Sequence, residues 1–179
     1  MRRIVHLIWS LLLAMTISNG STEAADLENT LYLDTANGRV VIELRPDLAP
    51  QHVDRIKELT REGFYDGIIF HRVIEGFMAQ TGDPTGTGRG GSDKPDLPAE
   101  FSDSAKFQRG TLGMARSQSP NSANSQFFIN FDATPFLDGQ YTIWGQVVEG
   151  MEHVDAIAKG EPPASPDKIV KMQVAADAS

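Results

Sequence analysis

The sequence predicts a mainly β domain, an antiparallel sheet closed on itself with two helices covering its open ends. Three observations lead there. Short runs rich in β-branched and aromatic residues recur from Leu31 to Val174, each bounded by Gly, Pro, Asn or Asp. Two stretches with helical spacing, Val53/Ile56/Leu59 and Met151/Val154/Ile157, lie far apart in the chain. Closing a sheet of many short strands removes its exposed edges and leaves ends that helices can plug.

The N-terminus has the composition of an export signal. Met1-Arg2-Arg3 supplies positive charge, Ile4 to Ile17 is an apolar run, and Thr22-Glu23-Ala24 fits a small-x-small cleavage site. Residues 1–24 are expected to be removed, leaving 25–179 as one domain in the periplasm. The apolar run is short of the ~17–25 residues a spanning helix needs, so no stable membrane span is expected after cleavage.

Leu31–Thr35 and Arg39–Leu44 flank Asn37-Gly38, the residue pair of a type I′ hairpin turn with φ > 0 at both positions. After Pro46 and Pro50 a helix follows, with Val53, Ile56 and Leu59 on its core face, charges on the other, and Gly63 beyond its end. Gly67–Ile74 and Phe77–Thr81 read as strands around a Glu75-Gly76 turn. Pro84–Pro98 is a long Gly- and Pro-rich surface loop. Phe107–Ala115, Ser125–Asn130, Tyr141–Val148 and Ile169–Val174 are further strands, the second helix lies near Met151–Ile157, and Ala175–Ser179 is a frayed tail.

Composition excludes several functions. A formal net charge of -8 gives no basic stripe for nucleic acid. With no cysteine, and with His6, His52, His71 and His153 at no ligand spacing, a metal site is not expected. Gly86-Thr87-Gly88-Arg89-Gly90-Gly91 matches the G-x-G-x-x-G dinucleotide pattern. Ser92-Asp93-Lys94-Pro95 follows where such a site needs a helix, so the stretch reads as a glycine-rich loop.

Phe70-His71-Arg72-Val73-Ile74-Glu75-Gly76-Phe77-Met78-Ala79-Gln80-Thr81-Gly82-Asp83 sets one guanidinium and one amide among large apolar side chains, with no nucleophile and base. This stretch resembles the signature of the cyclophilins, the peptidyl-prolyl cis-trans isomerases. Gly113-Met114-Ala115, Asn124-Ser125-Gln126-Phe127-Phe128-Ile129 and Phe136-Leu137-Asp138-Gly139 resemble further cyclophilin motifs, and the likeness runs from about Leu27 to Val174. It implies a closed eight-stranded antiparallel barrel with a helix at each end, acting as a monomer without cofactor on proline-containing unfolded or folding polypeptides.

The resemblance also implies the site. Arg72 would donate a hydrogen bond to the prolyl nitrogen as amide resonance is lost, and Gln80 would hold the substrate backbone. Phe77, Met78, Phe128 and Leu137 would line the proline pocket, and the backbone of Ala115 and Arg116 would pair with an extended peptide. Gln126, Phe136 and Tyr141 complete the substrate-binding set. Family members often have Asn where Arg116 stands, and the cyclosporin-sensitive eukaryotic members have Trp at Phe136 and His at Tyr141, so cyclosporin binding is expected to be weak. His71 has the opposite strand parity to Arg72 and is expected to be structural, as are Phe70 and Phe127. Gly82 and Asp83 shape the loop. The alternative is a proline-peptide-binding chaperone or holdase that keeps the fold without catalysis; retention of Arg72 and Gln80 argues against it.

Overall fold

The computed structural model describes residues 26–178. The signal expected over 1–24 lies outside the described residues. The elements run β1 (Thr30–Thr35), β2 (Gly38–Leu44), α1 (Pro50–Arg61), β3 (Arg72–Ile74), β4 (Met78–Thr81), β5 (Thr111–Met114), β6 (Phe127–Asn130), β7 (Ile143–Glu149), α2 (Met151–Asp155) and β8 (Lys171–Val174). The eight strands form one sheet in the order β3-β4-β6-β5-β7-β2-β1-β8, antiparallel throughout.

Alternation fills the inside. Leu31 and Leu33 of β1, Val40 and Ile42 of β2, Phe127 and Ile129 of β6 and Trp144 of β7 are all fully buried in one cluster. Phe127 meets Trp144 edge to face at 5.3 Å, a geometry that adds to the area each ring buries. Phe70 belongs to the same core, as expected.

Closure differs from a continuous ladder. β3 and β8 are the two edges, and the gap is bridged by single pairings of Ile69 with Lys168 and Val73 with Gly160. The strand expected from Gly67 therefore begins only at Arg72, because Gly67 and Phe70 direct their N–H groups across the gap to the carbonyls of Ile169 and Asp167, each at 2.8 Å. The strand expected from Phe107 likewise starts at Thr111, since the Phe107 N–H is held by the Asp138 carboxylate at 2.8 Å.

Two local expectations need correction, and one helix face is more buried than its charges suggest. The first hairpin forms, but Thr35 pairs with Gly38, so Ala36 and Asn37 make the turn and Asn37 does not take a positive φ. The Thr35 hydroxyl accepts from the Asn37 N–H and donates to the Gly38 carbonyl, a local alternative to the type I′ arrangement. Gly38, at φ +139, lies so close to the His153 ring of α2 that a Cβ would strike it. The polar face of α1 is also not wholly solvated: His52 is fully buried, and buried Arg55 donates to the carbonyls of Pro95 at 2.9 Å and Asn124 at 3.4 Å, tying the long loop to the helix. The chain end does not fray over Ala175–Asp177, which is a 3-10 turn whose Asp177 carboxylate accepts from Arg61 of α1 at 2.8 Å.

Ala49 gives α1 no side-chain cap, and Glu100 supplies one from a distance. Its carboxylate accepts from the Gln51 and His52 N–H groups at 3.2 and 3.0 Å, and from His52 Nδ1 at 2.6 Å. Burial pushes the His52 imidazole below its usual 6.5 despite this carboxylate, so the ring is neutral and donates a hydrogen bond.

Candidate functional site

The register of the short strands carries the site. Arg72 on β3 is opposite Gln80 on β4, Gln80 is opposite Phe128 on β6, and Phe128 is opposite Gly113 on β5. One row across the outer face of the barrel thus sets a guanidinium, an amide and a phenyl ring side by side. Their strand neighbours Val73, Ala79, Phe127 and Ile129 point into the core.

Around this row lies a pocket of about 290 Å³ lined by Arg72, Phe77, Met78, Gln80, Ala115, Arg116, Phe128, Leu137 and Tyr141. Its apolar floor is a second cluster, separate from the barrel core: Met78, Phe107, Phe128, Leu137 and Ile143 are buried, with Phe77 and Tyr141 packed against them. Phe107 stacks on Phe128 at 5.7 Å with planes 22° apart, and Tyr141 meets Phe128 edge to face at 5.9 Å. Gly113 permits this stack, because a Cβ there would come within 2.6 Å of Phe107 Cε1 and into the Phe128 ring. Phe107, Gly113 and Ile143 were not foreseen as parts of the site. The parity of Gly113 with Phe128 becomes visible only once β5 and β6 are paired.

The polar wall is held in place by its neighbours. Arg72 donates through Nε to Glu161 at 2.7 Å. Gln80 donates through Nε2 to Gln126 Oε1 at 2.9 Å, and Gln126 donates in turn to the Gly90 carbonyl at 2.8 Å. Among the described residues nothing donates to the Gln80 carbonyl oxygen, which this relay leaves free to accept from a ligand. Arg116 donates to the carbonyls of Gln140, Ser117 and Gln118, and its guanidinium lies 4.5 Å from the Tyr141 ring centroid.

Two residues named from the sequence lie apart from the pocket lining. Phe136 is 62% exposed and rests against Phe77 with ring centroids 5.6 Å apart, forming a rim. Gln126 lines a larger hollow of about 510 Å³ next door, with Arg89, Asp96, Ser117 and Asn124; the two hollows share Gln80, Ala115 and Arg116. Ala115 differs from expectation in one respect. Its N–H is used on the Gln126 carbonyl at 2.9 Å, so only its carbonyl is available to a strand-like peptide.

The glycine-rich loop serves an internal anion. Buried Asp83 accepts from the Thr85 N–H and hydroxyl, each at 2.8 Å, and from the N–H groups of Gly88 at 2.6 Å and Gly90 at 3.1 Å. Burial alone would raise its pKa, but these donors outweigh it and hold the carboxyl at about 2. The amides that a nucleotide phosphate would need are thereby occupied. His71 is buried beneath Gly88 and does not line the pocket, and burial lowers its pKa. Among the described residues no His, Asp or Glu cluster could hold a metal, and no helix is long and apolar enough to cross a membrane.

Residues 30–174 match the family described as "Cyclophilin type peptidyl-prolyl cis-trans isomerase/CLD". The chain belongs to the cyclophilin family. It is 57% identical over 173 residues to a "Probable peptidyl-prolyl cis-trans isomerase" of Brucella suis, covering 88% of each chain. A fission yeast relative, "Peptidyl-prolyl cis-trans isomerase ppi1" of Schizosaccharomyces pombe, is 43% identical over 78% of this chain and 94% of its own. Among solved structures, cyclophilin AquaCyp293 from Hirschia baltica superposes with a TM-score of 0.79 at 30% identity, over 86% of this chain and 76% of that one. A Cryptosporidium parvum cyclophilin, solved in the presence of the dipeptide Ala-Pro, gives 0.76 at 32% identity, over 81% of this chain and 98% of that one. This cyclophilin is a peptidyl-prolyl cis-trans isomerase.

Proposed function

We propose that the pocket seats the ring of a substrate proline while Arg72 stabilises the twisted amide. Rotation about an Xaa-Pro bond crosses a barrier of ~18–20 kcal/mol set by amide resonance. In the twisted state the prolyl nitrogen regains a lone pair, and a guanidinium N–H donates to it. That interaction grows only as resonance is lost, so it favours the transition state over the bound ground state. Acceleration by ~10⁵ requires about 7 kcal/mol. One charge-assisted hydrogen bond supplies ~1.5–3 of it, and positioning in a dry apolar seat supplies the remainder. No proton moves and no covalent intermediate forms, so the reaction needs no cofactor.

The observation that carries this reading is the row Arg72–Gln80–Phe128, which puts a cation and a free amide carbonyl beside an aromatic seat. The Ala-Pro dipeptide present with the Cryptosporidium relative supports proline-containing peptides as substrates. Gln80 and the Ala115 carbonyl hold the peptide backbone, and the chain flanking the proline runs into the adjoining polar hollow. Phe136, exposed on the rim without an indole N–H, supports weak cyclosporin binding. The Arg-Arg and apolar run before Ala24 supports export, with the mature monomer acting on unfolded or folding proteins of the cell envelope.

A protease-coupled assay on an Ala-Pro peptide tests the proposal. Arg72→Ala is expected to lower kcat/KM by at least tenfold, and equal rates in variant and wild type refute the role of Arg72.

A further inference from the structure

We infer that Glu161 is a positioning residue for Arg72, aiming its guanidinium into the pocket from behind. The inference rests on the isomerase reading above. Arg72 is on the edge strand β3, where no further strand flanks it, and its long side chain is 41% exposed. Left alone, such a side chain samples many rotamers, and holding it in one costs conformational entropy. Its one hydrogen bond among the described residues is from Nε to Glu161 Oε1 at 2.7 Å. Nε is the nitrogen on the stem side, so this contact fixes the plane of the guanidinium while both Nη groups stay free to donate.

The carboxylate is delivered there by backbone register. Val73 and Gly160 exchange two hydrogen bonds, each 2.8 Å, as an isolated antiparallel bridge. Antiparallel pairing of 73 with 160 sets 161 opposite 72. Gly160 takes φ +146 and lies so close to the following turn that a Cβ would come within 2.6 Å of the Pro163 Cα, so the loop turns there only with glycine. The loop is pinned on either side: the Ala158 N–H donates to the Asp167 carboxylate at 2.8 Å, and the Phe70 N–H to the Asp167 carbonyl at 2.8 Å.

Stability does not account for the pair. Both partners are well exposed, at 41% and 54%, and such surface pairs add little to folding. Glu161 does not line the proline pocket, so it acts through Arg72 and not on substrate. Its effect belongs in kcat, because a guanidinium already aimed at the prolyl nitrogen loses less freedom as the amide twists.

The test compares wild type, Glu161→Ala, Glu161→Gln, Arg72→Ala and the Glu161→Ala/Arg72→Ala double variant in the Ala-Pro assay, with kcat and KM resolved. The expected result for Glu161→Ala is a fall in kcat of about three- to tenfold with KM within about twofold. Glu161→Gln, which keeps an acceptor oxygen, recovers to within about twofold, and the double variant is no slower than Arg72→Ala. In ¹⁵N-edited spectra the Arg72 Nε–H signal is sharp in wild type and Glu161→Gln and broadened in Glu161→Ala. A wild-type kcat in Glu161→Ala, beside an impaired Arg72→Ala, overturns the positioning role alone. A loss that Gln does not rescue, or that persists in the Arg72→Ala background, assigns Glu161 to barrel closure and also overturns it. Full activity in Arg72→Ala instead overturns the isomerase mechanism itself.

Discussion

Replacing Asp83 by Asn is expected to destabilise the domain in a pH-dependent way and to slow the enzyme from outside its pocket. The carboxylate sits at about 2 in the folded chain against 3.8 when exposed. At 1.36 kcal/mol per pH unit that difference is worth ~2.5 kcal/mol at neutral pH. The sign follows from the depressed value: the stabilisation is complete above the unfolded pKa and is lost as pH falls through the folded one. About half of it is gone near pH 3 and most by pH 2. Asn loses at least as much at neutral pH, because its NH₂ turns a donor toward the Gly88 and Gly90 N–H groups that now bond to oxygen. For a domain of this size the cost is a fall in Tm of about 5–10 °C at pH 7. Thermal unfolding followed by far-UV circular dichroism from pH 7 to 2 reads the gap between the two proteins, and the other carboxylates cancel from it. The gap should shrink to a small fraction of its neutral value by pH 2. Below about 0.5 kcal/mol at pH 7, or undiminished at pH 2, it would refute the account. Because Gly90 also accepts from Gln126, which holds Gln80, a fall in kcat/KM on the order of threefold should accompany the lost stability.

Gly113→Ala forces a methyl into the space of Phe107 and Phe128. It should cost about 1–3 kcal/mol in urea denaturation and lower kcat/KM by roughly ten- to a hundredfold through a displaced pocket wall. Arg116→Ala removes a cation shared by both hollows. Turnover of an Ala-Pro peptide should stay within about threefold, while the preference between Glu-Pro and Lys-Pro peptides shifts by up to about tenfold toward Lys. His52 and His71 are both buried with lowered pKa values, so stability is full above 6.5 and declines as pH falls through their folded values. Urea midpoints measured between pH 7 and 5 should fall, and His71→Phe should lessen that fall without changing the Arg72 dependence of activity.

Export and processing are checked by N-terminal sequencing of protein from fractionated cells. A mature chain starting at Ala25 in the envelope fraction is the expected outcome, and an intact Met1 there would refute cleavage.

The amino-acid sequence by itself determined the class of fold and, through its resemblance to the cyclophilins, which residues to expect at the pocket. Period-two alternation and turn residues are local signals, legible without knowing what pairs with what. The likeness of Phe70–Asp83, Phe127-Phe128 and Phe136-Leu137 to cyclophilin motifs, and not periodicity, is what points to Arg72, Gln80, Phe128 and Leu137. Tertiary structure decided what depends on register between distant segments. The stack of Phe107 on Phe128 over Gly113 exists only because β5 pairs with β6, and Glu161 reaches Arg72 only because a loop closes the barrel opposite β3. Buried Arg55 and His52 read in sequence as ordinary polar residues, since burial depends on which loop folds over them, whereas Asp83 is expected to shape its loop and does. Even the first turn was settled by a side chain, with the Thr35 hydroxyl bonding locally where the type I′ geometry was expected. Local chemistry sets the elements, and the long-range closure of the barrel sets which side chains of different strands meet.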